Sequence, residues 1–275
     1  MTNRASGEDS QSKRRGRRRV RSAISPVQTL DRSLNVLECL SGNQPISLSD
    51  LSRVVGLHTS TVARMLETFR QRSYVEYNDH SGMYRMGIKA LEVGNSYVVG
   101  RPLNEVAHDA MLELSEELRE SVNLAIRDGD KVVYIKQIQN ESHAVRMFTR
   151  VGARVPIYCT GNGKVLVAYE GEAAIREILA ETDFEPFTQR TVTNVAEFIE
   201  RTNEAVSRGY AWDNEEREVG VRCIAAPIFG ADGAVAAALS VSAPTMRLTL
   251  AEGKAYSVSL IAAAKRISEQ LGFVG

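Results

Sequence analysis

Two groups of residues beyond position 150 have the types and spacing to handle a small molecule. The first is Thr160-Gly161-Asn162-Gly163-Lys164, preceded by Val155-Pro156-Ile157-Tyr158. A glycine pair that opens a helix can present free N–H groups to an anion, where the helix dipole favours negative charge. The run is not a nucleotide-binding P-loop, because the four-residue spacer and the Ser/Thr after Lys are missing. A tight strand-to-helix turn would use the same residues. The second is the stretch from Gly209 to Pro244, whose polar residues include Asp213, Cys223, Ser240 and Ser242. Ser240 and Ser242 alternate on an expected strand, so both hydroxyls project from one face and can donate to a carboxylate. Asp213 can accept from a hydroxyl or a hydrated carbonyl; it can equally cap a turn or pair with Arg222. Cys223 suits the floor of a pocket, or a packed core. A covalent mechanism needs a base beside its nucleophile. His58, His80, His108 and His143 stand in no catalytic motif, so enzyme activity is not expected.

A third group would read DNA. Thr59, Ser60, Thr61 and Arg64 open a helix expected over about 59–72. The stripe Val62, Met65, Leu66 and Phe69 turns the other face of that helix to a core. A helix that enters the major groove contacts bases with its N-terminal residues. The hydroxyls suit phosphates, and Arg64, one turn on, can reach a guanine or a phosphate. His80 and Arg85 flank a hairpin that would lie along the backbone or in the minor groove.

The elements that must hold these groups follow from periodicity. Val27, Leu30, Leu34, Leu37 and Leu40 recur at helical spacing, and Gly42 and Pro45 end that helix. Ser47 and Asp50 resemble a capping box ahead of Leu51, Val54 and Val55. Strands at 74–77 and 83–86 enclose the turn Asn-Asp-His-Ser-Gly. Three short helices and this hairpin make a winged helix-turn-helix. A linker helix over 87–101 carries Ile88 and Leu91, and Pro102 marks a boundary. Beyond it come a helix with Val106, Ala110, Leu114 and Leu118, then a hairpin over 122–138. Further strands are expected at 145–149, 221–229 and 234–242, with helices at 161–170, 172–180, 195–208 and 252–271. The fold class is α+β, a winged helix-turn-helix followed by a domain built on an antiparallel sheet. The expected divisions are 1–24, a disordered basic arm; 25–86, the DNA-binding domain; 87–101, the linker helix; and 102–275, the effector-binding domain.

Composition agrees with this plan. With 275 residues, 43% hydrophobic and 25% charged, the chain is long enough for two domains. No apolar run approaches the ~20 residues of a membrane helix, and no apolar stretch follows the basic residues of the N-terminus. Cys39, Cys159 and Cys223 are three, far apart, with no CxxC. No zinc site, metal, disulfide framework or cofactor is expected, and a reducing cytoplasm fits. Net charge is zero, yet residues 1–22 hold eight Lys/Arg against Glu8 and Asp9, a net of +6 that leaves −6 on the other 253. Such an arm suits phosphate contact; it would also serve as a plain solubilising tail. Residues 26–86 carry six acids and six arginines, so the winged module itself has no basic excess.

The segment Gly209-Tyr210-Ala211-Trp212-Asp213-Asn214-Glu215-Glu216 continues into Gly220-Val221-Arg222-Cys223-Ile224-Ala225-Ala226-Pro227-Ile228-Phe229 and the strand ending Ser240-Val241-Ser242-Ala243-Pro244. In this order the chain resembles the IclR family of bacterial transcription regulators. Leu48-Ser49-Asp50-Leu51, Gly56-Leu57 and Ser60-Thr61-Val62 are similar to its winged helix, and the likeness runs over about 250 of the 275 residues. Gly230 departs from it where many members carry Asp. The resemblance implies a GAF-like effector domain, binding to operator DNA, and a homodimer or a dimer of dimers (a homotetramer). In members that respond to glyoxylate and pyruvate it implies a pocket that falls here on Gly161, Asn162, Asp213, Cys223, Ser240 and Ser242. The expected effector is a small organic acid, glyoxylate or a similar 2-oxo acid. Met147, Phe148, Val151 and Val155 would give its apolar wall. Regulators of aromatic or sugar acids share the fold, and an interaction module with a vestigial wing is the more distant alternative. Whether the protein represses or activates does not follow from the sequence.

Overall fold

The first helical spacing becomes α1 (Gln28–Asn43). In the computed structural model, residues 27–98, 102–145, 147 and 149–274 are described; the expected arm at 1–24, the last residues of the linker and Phe148 lie outside them. Val36 and Leu40 of α1 are buried, while Val27, Leu30 and Leu34 of the expected stripe stand exposed. A two-residue strand, β1 (Ile46–Ser47), leads into α2 (Leu48–Val55). The Ser47 hydroxyl accepts from the Asp50 amide (3.2 Å) and donates to its carboxylate (2.7 Å), which supplies a partner to a helix-end amide that otherwise has none. Val54, expected inward, is exposed. Its place inside is taken by Ser52, whose hydroxyl donates to the Leu48 carbonyl at 2.7 Å. Gly56, at φ +65°, closes α2 in the left-handed region. Then follow α3 (Thr59–Gln71), β2 (Val75–Asn78) and β3 (Met83–Met86). The three strands form an antiparallel sheet in the order β1-β3-β2. Its hairpin is closed by the Asn78 side-chain oxygen, which accepts from the amides of His80 and Ser81 at 3.0 Å each. Val36, Leu40, Leu51, Val62, Leu66 and Val75 form the core. Gly87 comes so close to the Ser73 carbonyl that a Cβ would lie 2.3 Å from its oxygen. That close approach sets the start of α4 (Ile88–Val98).

The chain divides into two compact units, one ending at Ser96 and the other beginning at Tyr97. The second contains α5 (Pro102–Leu118), β4 (Ser121–Asp128), β5 (Lys131–Ile138), β6 (Arg154–Pro156), a 3-10 turn (Ile157–Cys159), α6 (Gly161–Val167), α7 (Glu172–Ile178), α8 (Val195–Arg208), β7 (Ala211–Asn214), β8 (Val221–Phe229), β9 (Val235–Pro244) and α9 (Leu250–Gln270). Six strands form one antiparallel sheet in the order β6-β5-β4-β9-β8-β7. Alternation divides the strand residues between two cores. Leu124, Ile224, Leu239 and Val241 pack with α5 and α9. Ala125, Ala211, Ala225 and Ala238 pack on the opposite face with α6 and α8. Large side chains on one face and alanines on the other allow α6 to lie close to the sheet.

The strand expected at 145–149 does not form among the described residues there. The Ser121 hydroxyl donates to the Met147 carbonyl (3.0 Å), and Arg247 donates to that of Val145 (3.0 Å). These backbone groups are thus satisfied by side chains instead of by a ladder, and the strand beside β5 is β6.

Candidate functional site

In the N-terminal unit, Thr59, Ser60 and Arg64 are exposed and Thr61 is half-buried, while Val62 and Leu66 face the core. The outward face of α3 is therefore the one that carries the predicted DNA-reading residues. His58 caps the helix: its Nδ1 lies 2.9 Å from the Ser60 hydroxyl and accepts from the Ser60 amide at 3.4 Å. No sequence signal marked His58. Three arginines of the module are held by its own carboxylates, Arg53 by Asp50 (2.8 Å), Arg70 by Glu67 (2.8 Å) and Arg85 by Glu76 (2.6 Å). Arg64 forms no ion pair among the described residues, so its guanidinium donors stay available for a phosphate or a base edge.

In the second unit the sheet register lines up the predicted small-molecule residues. Ser121 of β4 lies opposite Ser242 of β9, which lies opposite Cys223 of β8, which lies opposite Asp213 of β7. The adjacent row on this face is Asn123, Ser240, Ala225 and Ala211. Directly opposed residues share a face, here the face covered by α6. The rows are joined by hydrogen bonds. Asn123 Nδ2 donates to Ser242 Oγ (3.1 Å), the Cys223 thiol lies 3.0 Å from the same oxygen, and Asn162 Nδ2 donates to Ser240 Oγ (3.0 Å). Asn162 Oδ1 is buried with no partner among the described residues.

The two glycines have a packing reason. A Cβ on Gly163 would stand 2.1 Å from the Ile157 carbonyl oxygen, and one on Gly161 would stand 3.3 Å from the Ala211 carbonyl and the Asp213 amide. They let the head of α6 press onto the 3-10 turn and onto β7, so the turn reading holds for both. The Thr160 hydroxyl accepts from the Gly163 amide at 2.9 Å. The amides of Gly161 and Asn162, first in the helix, have no such cap among the described residues.

Charge is concentrated beside this row. The Lys164 ammonium is buried and donates to both Glu216 oxygens (2.5 and 2.6 Å) and to the Trp212 carbonyl (2.6 Å). Asp213 Oδ1 accepts from the Glu216 amide at 2.8 Å, which is the turn-capping role the sequence left open. Burial, with Glu216 next to it, pushes the Asp213 carboxyl up to about 7. Burial raises both thiols, Cys159 to about 12 and Cys223 well above the usual thiol range. Neither is a thiolate at neutral pH, and an unactivated thiol is a poor nucleophile. Among the described residues no group of three or more His, Cys, Asp or Glu could hold a metal ion.

All six predicted residues meet in this one region, most of them through direct contacts. The apolar wall is less well realised: Met147 and Val155 are half-buried, Val151 is 57% exposed, and Phe148 lies outside the described residues. Two contributors, Ser121 and Asn123, escaped sequence reasoning, and Lys164 and Glu216 stood in its motifs without the ion pair that joins them. The alternation Ser121-Val122-Asn123-Leu124 carried a signal, polar residues facing one way in an otherwise apolar strand. An open polar cleft of about 720 Å3 shares Lys164 and Glu216 and is bordered by Thr188, Arg190, Arg208 and Tyr210; none of the six predicted residues lines it.

Comparison with known proteins bears on both units. Residues 29–79 match the IclR helix-turn-helix domain, and residues 95–269 match the bacterial transcriptional regulator IclR C-terminal family. The chain is 34% identical over 247 residues to the HTH-type transcriptional regulator KdgR of Escherichia coli (strain K12), covering 90% of this chain and 94% of that one. The Thermotoga maritima IclR structure superposes with a TM-score of 0.75 at 27% identity, over 90% of this chain and 100% of that one. An IclR homolog of Microbacterium hydrocarbonoxydans, solved in complex with 4-hydroxybenzoate, gives 0.77 at 25% identity, over 88% and 98%.

Proposed function

The chain belongs to the IclR family of bacterial transcriptional regulators, and from that premise we propose that it works as a cytoplasmic homo-oligomer whose operator affinity is set by a small 2-oxo acid, glyoxylate or a close relative. The family consists of regulators that bind operator DNA and small-molecule effectors, not of enzymes. No described helix is long and apolar enough to cross a membrane.

In this reading Thr59, Ser60, Thr61 and Arg64 meet the operator. The effector's carboxylate lies against the Gly161 and Asn162 amides, and Ser240 and Ser242 complete its hydrogen bonds. Cys223 forms the floor and Asp213 meets the hydrated carbonyl. One observation carries the reading: the polar row Ser121–Ser242–Cys223–Asp213 shares its face of the sheet with the head of α6, where Asn162 donates to Ser240 and keeps a buried Oδ1 that has no partner among the described residues. The short side chains here are linked at 3.0–3.1 Å, Ser242 to Asn123 and Cys223, and Ser240 to Asn162. Such a frame suits a ligand of a few heavy atoms better than the ring bound by the Microbacterium relative. The exposed Ile88 and Leu91 on one side of α4 supply the apolar strip for pairing two copies.

Calorimetry with glyoxylate tests the site. The parent is expected to bind it, and the double variant Ser240→Ala, Ser242→Ala to lose at least ~10-fold in affinity, since two hydrogen bonds to a charged group are removed. Binding at full strength by the double variant places the acid elsewhere. Preference for 4-hydroxybenzoate over glyoxylate by the parent makes the effector aromatic.

A further inference from the structure

The buried cluster around Asp213 holds two carboxylates and one ammonium. The ammonium is spent: its three N–H groups go to the two oxygens of Glu216 and to the Trp212 carbonyl. Asp213 therefore receives no hydrogen bond from the ammonium, which lowers its carboxyl only through space and by less than burial and Glu216 raise it. Its neighbours are Glu216 and the backbone of Glu216 and Arg217 in the turn after β7, Lys164 on α6, Cys223 on β8, Cys159 in the 3-10 turn and Tyr134 on β5. The two thiols and the phenol have their ionisation pushed upward by burial, so they stay neutral. With Asp213 ionised, the cluster carries one uncompensated negative charge before any ligand arrives. A carboxylate ligand beside it would make two, in a place where water cannot screen them.

We infer that the site takes up an anion together with one proton, and that Asp213 faces that anion as a neutral carboxylic acid, donating a hydrogen bond instead of accepting one. Oδ1 accepts from the Glu216 amide at 2.8 Å and the Arg217 amide also donates to this carboxylate, so the proton is placed on Oδ2. The ligand class is narrowed accordingly. It is a monoanion with an acceptor oxygen on the Asp213 side, and a ligand that places a cationic group there is rejected. The inference rests on the effector reading above and revises Asp213 within it from acceptor to donor.

The test is calorimetry of glyoxylate binding in buffers of different ionisation heat, at pH 6 and pH 8.5. At pH 8.5 close to one proton should be taken up per glyoxylate, and at pH 6 almost none, since Asp213, with its carboxyl at about 7, already holds it. Affinity should fall about tenfold per pH unit above ~7. Asp213→Asn keeps the Oδ1 acceptor and supplies a permanent donor, so its binding should release or take up no proton at either pH. Glu216→Gln returns Lys164 to Asp213 as a counter-ion and should likewise lower the uptake. Glyoxylate binding by the parent with no proton uptake at pH 8.5 overturns the inference alone. Undiminished uptake by Asp213→Asn does the same. Absence of binding at both pH values overturns the effector reading and the inference with it.

Discussion

Asp213 and Arg64 are opposite electrostatic cases, and each makes a separate prediction. Asp213 is a buried acid whose carboxyl is raised to about 7, against about 3.9 in an unfolded chain. Between those values the native state holds a proton that the unfolded state has lost, so stability falls as pH rises through that window. Asp213→Asn removes the titrating group. Its melting temperature relative to the parent should rise from pH 5 to pH 8, and a constant difference across that range would contradict the assignment. Arg64 is an exposed base with no ion pair among the described residues, on a helix whose other arginine, Arg70, is tied to Glu67. Arg64→Ala should leave the melting temperature within a degree or so and weaken operator binding by ~1–3 kcal/mol if it reads a base. A gel-shift titration with unchanged affinity would remove Arg64 from the interface.

At the level of elements, much was legible because caps and periods are local. Ser47 with Asp50, Gly56 after α2, and the strands at 221–229 and 83–86 all follow from neighbouring residues. What was missed depends on residues far apart in the chain. β7 is four residues long, Ala-Trp-Asp-Asn, with no apolar alternation; it is a strand because β8 pairs with it. The segment 145–149 has strand-like composition, but the carbonyls of Val145 and Met147 go to Arg247 and Ser121. Lys164 looks like a helix-surface lysine until Glu216, 52 positions on, is folded against it. The two serines of the site came from the family resemblance, with the period of a strand in support, whereas Asn123 and Ser121, which complete the rows, needed the register. α4 makes its own prediction. Ile88 and Leu91 are each 57% exposed, an apolar strip that a monomer would leave in water. Ile88→Glu with Leu91→Glu should shift the protein to a lower oligomeric state by light scattering. An unchanged mass would place the dimer contact on another surface.

The molecule as a whole has two compact units, with the division falling inside a helix. A ligand in one unit alters DNA affinity in the other only as far as it binds two states of the protein with different strength. A closed row of short polar groups under α6 can be spread or drawn together by an acid of a few atoms, and α6 packs against both sheet and α8. In the proposed function this row is where the regulator reads its effector. That reading is tested most directly by fluorescence anisotropy with an operator selected from random-sequence DNA, titrated with and without glyoxylate. The parent should change its operator affinity by a factor within the ~5–150-fold range of allosteric coupling, and the Ser240→Ala, Ser242→Ala variant should bind the same operator with no response to the acid. Equal responses from parent and variant, or none from the parent, would contradict the account.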